Sequence, residues 1–145
     1  MQRRRGGHGM VREKLLVAAL FFGASLLLAV GCGPSGPLKV KTIQTGRSLN
    51  SDNSVGLLTQ RFRPDQTMYV AVLTDGPGKG TLTAKWTYAG RAVSEDTKEV
   101  SYRDSAATEF HITNSSGFPP GDYTVEILLD GKTVETRNLR VEKEK

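Results

Sequence analysis

Phe118-Pro119-Pro120-Gly121-Asp122-Tyr123-Thr124-Val125-Glu126-Ile127-Leu128-Leu129-Asp130-Gly131 is the stretch whose reading decides the fold. Tyr123, Val125, Ile127 and Leu129 recur at every second position, the period of a strand with one buried face. Asp130-Gly131 closes that strand, since both residues tolerate the positive φ of a two-residue hairpin. The returning strand then spans residues 133–141. Val134 has the opposite parity to Leu139 and Val141, which predicts a bulge near Arg137-Asn138.

Working outward, the same pattern of a short alternating run and a turn signal recurs, with no internal repeat and no long helical periodicity. Residues 39–44 read as a first strand through Val40 and Ile43. Residues 46–53 read as polar loop, and residues 55–62 are ambiguous. In 67–74, Met68, Val70 and Val72 share one face while Tyr69, Ala71 and Leu73 share the other, which predicts a central strand buried on both sides. In 81–88, Leu82, Ala84, Trp86 and Tyr88 alternate with Thr81, Thr83, Lys85 and Thr87. Residues 91–102 read as one or two exposed edge strands whose charges (Glu95, Asp96, Lys98, Glu99) and neighbouring Arg103 oppose unwanted pairing. Residues 108–113 follow, with Phe110 and Ile112 inward.

About seven strands at this spacing predict an all-β, antiparallel two-sheet sandwich. The segment 118–141 resembles immunoglobulin-like and fibronectin-like sandwiches, which place a tyrosine corner at the start of the penultimate strand. The resemblance implies that the Tyr123 hydroxyl bonds back to upstream backbone and that Trp86 is the buried core tryptophan. Residues 67–142 are similar to the immunoglobulin-like domains of bacterial envelope lipoproteins.

The other end of the chain carries a second resemblance. Arg3, Arg4, Arg5, Arg12 and Lys14 precede residues 15–30, which contain no charge, and the run ends at Gly31-Cys32, the only cysteine. A basic start, an apolar stretch and a small residue before one cysteine resemble a bacterial lipoprotein signal peptide with its lipobox, although Ala29 stands where leucine is commonest. The resemblance implies cleavage after residue 31, a diacylglyceryl group on the sulfur of Cys32, palmitate among its acyl chains, and no disulfide. Gly33, where an aspartate commonly retains such proteins in the inner membrane, implies the outer membrane in a cell that has one. Met10 already opens a complete signal of 22 residues up to Gly31, which predicts translation from Met10. Arg3-Arg4-Arg5 lies too far from the apolar run for a twin-arginine signal. Residues 32–37 then form the lipidated cysteine and a short Gly/Pro tether, and residues 38–145 one domain.

Residues 1–31 hold five of the 20 basic groups and one of the 15 acidic ones, which leaves 15 against 14, a net of +1. The high isoelectric point belongs to the leader, and nucleic acid is excluded as a partner by this near-neutral remainder.

Chemistry-bearing residues are sparse. His111 is the one histidine of the expected mature chain, and alternation between Phe110 and Ile112 turns it outward with no nucleophile or orienting acid nominated. Glu95, Asp96 and Glu99 are interrupted by Thr97 and Lys98 and do not make a calcium loop. Gly76-Pro77-Gly78-Lys79-Gly80-Thr81 lacks the spacing of a phosphate loop, and a strand follows it where a helix is required. Asn114-Ser115-Ser116 reads as a turn. The expectation is therefore no catalytic residue, no metal and no cofactor beyond the lipid on Cys32. The predicted role is a membrane-held module with a protein partner in the envelope. The alternative is a small-ligand or protease-inhibitor-like binder acting through loops 75–80, 104–107 or 114–121. Phe118 is either an exposed anchor of the last loop or a packing residue.

Overall fold

The computed structural model describes residues 36–143; the expected signal segment, the lipidation site at Cys32 and residues 33–35 of the tether lie outside the described residues. Eight strands are present among the described residues: β1 Val40–Gly46, β2 Arg61–Phe62, β3 Met68–Thr74, β4 Gly78–Tyr88, β5 Arg91–Tyr102, β6 Ala106–Ile112, β7 Gly121–Leu129 and β8 Lys132–Val141. They form a three-stranded sheet, β1-β3-β6, and a five-stranded sheet, β2-β8-β7-β4-β5. The strand beyond the expected seven is β2, two residues of the ambiguous 55–62 stretch, which pairs in parallel with the end of β8. The chain is an all-β two-sheet sandwich, and no described helix is long and apolar enough to cross a membrane.

Alternation builds the core. Met68, Val70 and Val72 of β3, Leu82, Ala84 and Trp86 of β4, and Tyr123, Val125 and Ile127 of β7 pack together with Phe110, Phe118, Leu139 and Val141. Full burial of each aliphatic or phenyl side chain contributes roughly 1.5–3 kcal/mol.

β3 is buried on both sides, but no third sheet covers it. Its outward Ala71 is fully buried because residues 47–58 fold back over the outer face. Arg47 N donates to Leu57 O at 3.0 Å and Gly56 N to Ser48 O at 2.9 Å, and the outward Gln44 Oε1 accepts from Val55 N at 3.1 Å. The fold-back depends on Gly46, where a Cβ would lie 2.0 Å from Leu57 O and 2.4 Å from Val55 Cγ1.

Several expected boundaries shift. β4 begins at Gly78, because Gly78, Lys79 and Gly80 pair with Tyr102, Ser101 and Val100; the expected loop 75–80 shrinks to residues 75–77. Loop 104–107 shrinks to residues 103–105, since β6 starts at Ala106. The bulge in β8 is present but lies at Val134, where the partners step from Thr133 to Glu135, not near Arg137-Asn138. The reason is the hairpin itself. Asp130 and Gly131 both have positive φ (50° and 81°), and the turn sets Lys132 opposite the inward Leu129. A slip is therefore needed before Leu139 if Leu139 and Val141 are to face the core, and it falls directly after the turn. Val93 is the skipped residue of a matching bulge in β5. Both extra valines are exposed, at 52% for Val93 and 42% for Val134, because a bulged residue leaves the alternation.

The two ends of the sandwich differ. The chain enters at the end where Leu38 N donates to Lys79 O at 3.1 Å, Lys79 N to Gly36 O at 3.2 Å and Asp75 N to Lys39 O at 2.9 Å. The hairpin 89–90 and the loop 113–120 lie at the opposite end.

Candidate functional site

β5 and β6 end their respective sheets, so the seam between them is an open side of the sandwich. Toward the chain-entry end it is closed by Tyr102 and Thr108, whose hydroxyls lie 2.7 Å apart, and by Lys98. At the opposite end it widens into a cavity of about 550 Å³ whose walls include Tyr88, Val93, His111, Asn114, Phe118 and Tyr123. That volume lies within the span of small-molecule and peptide-anchor sites, roughly 300–1,000 Å³.

The floor is a run of three aromatic rings. Tyr88 and Tyr123 meet at a 31° tilt with centroids 4.6 Å apart, and Phe118 meets Tyr123 edge-on at 5.9 Å. Tyr123 donates to Pro119 O at 2.8 Å and Tyr88 to Pro120 O at 3.1 Å, so two successive carbonyls are each held by a tyrosine hydroxyl. Desolvation by burial, then the neighbouring Tyr88, raises the Tyr123 pKa above its ordinary 10.0. Phe118 is buried and its N–H donates to Pro64 O at 2.8 Å. It packs the loop onto the core and is not an exposed anchor. Trp86 is buried near the C-terminal end of β4.

His111 faces outward at the rim. Its Nδ1 lies 3.1 Å from Glu109 Oε2 and 3.2 Å from Oε1, and its ring lies 5.5 Å from that of Tyr69. This pair orients the imidazole, yet among the described residues the ring's hydrogen bonds all go to Glu109, and a general base also needs a proton donor within reach. Glu95 and Glu99 stand on the outer face, opposite Lys85 and Thr81, whereas Asp96 sits opposite Ala84 on the other face. Among the described residues no three His, Cys, Asp or Glu side chains gather as metal ligands.

Lys98, Arg137 and Tyr88 matter more than their sequence context indicated. Lys98 was expected to be one of the solvent-facing guards of β5. It sits opposite the buried Leu82 and points across the seam, donating to Glu109 O at 2.6 Å with its ammonium 4.9 Å from the centre of the Phe110 ring. Arg137 donates to Ile43 O at 3.3 Å. The bonded partner of each lies on another strand, so the only signal available in the sequence was inward parity, Lys98 with Val100, Arg137 with Leu139 and Tyr88 with Trp86.

No protein-family model matches the chain, and no curated protein matches it significantly. Among solved structures it is similar to an immunoglobulin-like protein from Pseudomonas aeruginosa, with 11% identity and a TM-score of 0.53 over 76% of this chain and all of that one. The chain therefore has an immunoglobulin-like fold. It also aligns with an alkylpurine DNA glycosylase from Pseudomonas fluorescens bound to DNA containing an abasic site analog (11% identity, TM-score 0.48, 74% of this chain). A third alignment is to a β-glucosidase from Listeria innocua in complex with glucose (13% identity, TM-score 0.43, 69% of this chain). The matches span only 31% and 16% of those two enzymes and carry no argument about activity.

Proposed function

We propose that the chain is a lipid-anchored protein of the bacterial cell envelope, held in the outer membrane where the cell has one, whose immunoglobulin-like domain binds a protein partner without catalysis. The observation that carries this reading is Cys32, the only cysteine, placed directly after an uncharged apolar run and Gly31. Two or three acyl chains there supply a stable anchor where one holds only reversibly. Only Gly33, Pro34 and Ser35 separate it from Gly36, a reach of at most about 14 Å. The chain enters at one end of the sandwich, and the aromatic-floored cavity opens at the other, which suits a module that presents a binding surface away from the bilayer.

The test places a photoreactive residue at Val93 or at Asn114, on the cavity rim, and at Thr133 on the outer face as control. A discrete adduct with one protein from the rim positions alone supports the reading; equal adducts from all three contradict it. The second reading, a small-ligand or inhibitor-like binder, draws on the size of the same cavity and is favoured if the rim positions give no protein adduct.

A further inference from the structure

The three-stranded sheet has two edge strands, and each is met by a cation from the opposite sheet. On one seam Lys98 of β5 donates to Glu109 O of β6 at 2.6 Å, with the Glu109 carboxylate at 3.8 Å and the Phe110 ring at 4.9 Å fixing the ammonium. On the other, Arg137 of β8 donates to Ile43 O of β1 at 3.3 Å and is oriented by Glu135 Oε1 at 2.9 Å. Both cations stand on inner faces, Lys98 opposite Leu82 and Arg137 opposite Val125, where alternation would otherwise place apolar residues.

The carbonyls they bind are those an added strand would use. In an antiparallel ladder the N–H and C=O of one residue point to the same side, and successive residues alternate. Glu109 O faces away from β3 because Lys98 reaches it across the seam, so the backbone groups of Ala107 and His111 face that side too. On β1, Thr45 O accepts from Thr59 N at 3.0 Å and Arg47 N bonds Leu57 O at 3.0 Å, so the fold-back already covers the edge above Ile43. Arg137 covers Ile43 itself. An uncovered edge is a template for another chain, and inward-pointing charge is one way proteins block it.

We infer that Lys98 and Arg137 are paired latches that close the two open edges against strand addition by a second copy of this chain. Lys98 is the more important, because β6 has no counterpart of the 57–59 cover.

The full chain in mild detergent is compared with Lys98→Met, which keeps the stem over Phe110 and removes the donors, and with Lys98→Arg, which restores them. Sedimentation over a hundredfold range of protein concentration is expected to show parent and Lys98→Arg unchanged, and Lys98→Met self-associating at least tenfold more tightly. Amide exchange at residues 107–111 should slow in the associated form. Arg137→Leu should associate through residues 40–43, and it decides the matter if Lys98→Met does not fold. A folded Lys98→Met or Arg137→Leu that sediments as the parent does across the range overturns the inference.

Discussion

Tyr88 and Tyr123 pack at a 31° tilt with 4.6 Å between ring centres, and their hydroxyls hold the consecutive carbonyls of Pro120 and Pro119. The loop that crosses from β6 to β7 is thus fastened twice at the point where the chain changes sheets. Gly121 completes the arrangement. Its φ of 144° is one that side chains rarely adopt, and a Cβ there would stand 3.0 Å from the Tyr88 ring, which would have to shift to admit it.

Tyr123→Phe leaves the Pro119 carbonyl without its donor beside the core and is expected to destabilise the domain by about 1–3 kcal/mol. Tyr88→Phe, whose bond is exposed, should cost less, about 0.5–1.5 kcal/mol. Denaturant unfolding followed by the fluorescence of Trp86, the only tryptophan, measures both; equal, negligible effects would remove the double fastening.

The raised pKa of Tyr123 sets a sign for alkaline pH. The unfolded tyrosine ionises near 10 while the folded one stays neutral, so the unfolded state gains at high pH. The contribution is complete below pH 10 and is lost as pH rises through the folded value. The stability difference between the parent and Tyr123→Phe is therefore expected to shrink above pH 10, measured by thermal melts at matched ionic strength.

Gly46→Ala would drive a methyl into Leu57 O and Val55 Cγ1. Overpacking of this kind costs about 1–3 kcal/mol, and the effect should be local. Proteolysis within residues 47–58 is expected to accelerate more than global unfolding does. Unchanged cleavage would show that the fold-back does not depend on this contact.

Ala89 has φ of 48° in the hairpin between β4 and β5, followed by Gly90 at 77°. Side chains other than Asn or Asp pay roughly 1–2 kcal/mol in that region, and nothing in the structure explains the alanine. Ala89→Asn, which creates the preferred Asn-Gly turn, is expected to raise stability by about 1 kcal/mol, read from the denaturation midpoint.

The sandwich was legible because its core strands obey a two-residue period and its turns carry Gly, Pro and Asp. Residues 68–72, 82–86 and 123–127 needed no more than that. β2 was not legible, since two residues leave no period and its partner β8 is remote in sequence. The bulge at Val134 was legible as a parity conflict, but its position next to the 130–131 hairpin was not, since a slip anywhere before Leu139 would settle the same conflict. At the cavity, Tyr123 was marked by Pro119-Pro120-Gly121. Tyr88 was not, because its partner carbonyl lies 32 residues away. Lys98 looked like an edge charge among others, and its bond to Glu109 O depends on the second sheet.

The most direct measurement is metabolic labelling with palmitate, with membrane fractionation, of the parent and of Cys32→Ser. The account predicts a labelled, membrane-retained parent and a Cys32→Ser chain that takes up no label and leaves the membrane fraction. A Cys32→Ser chain that is still labelled and retained, or an unlabelled parent, contradicts it.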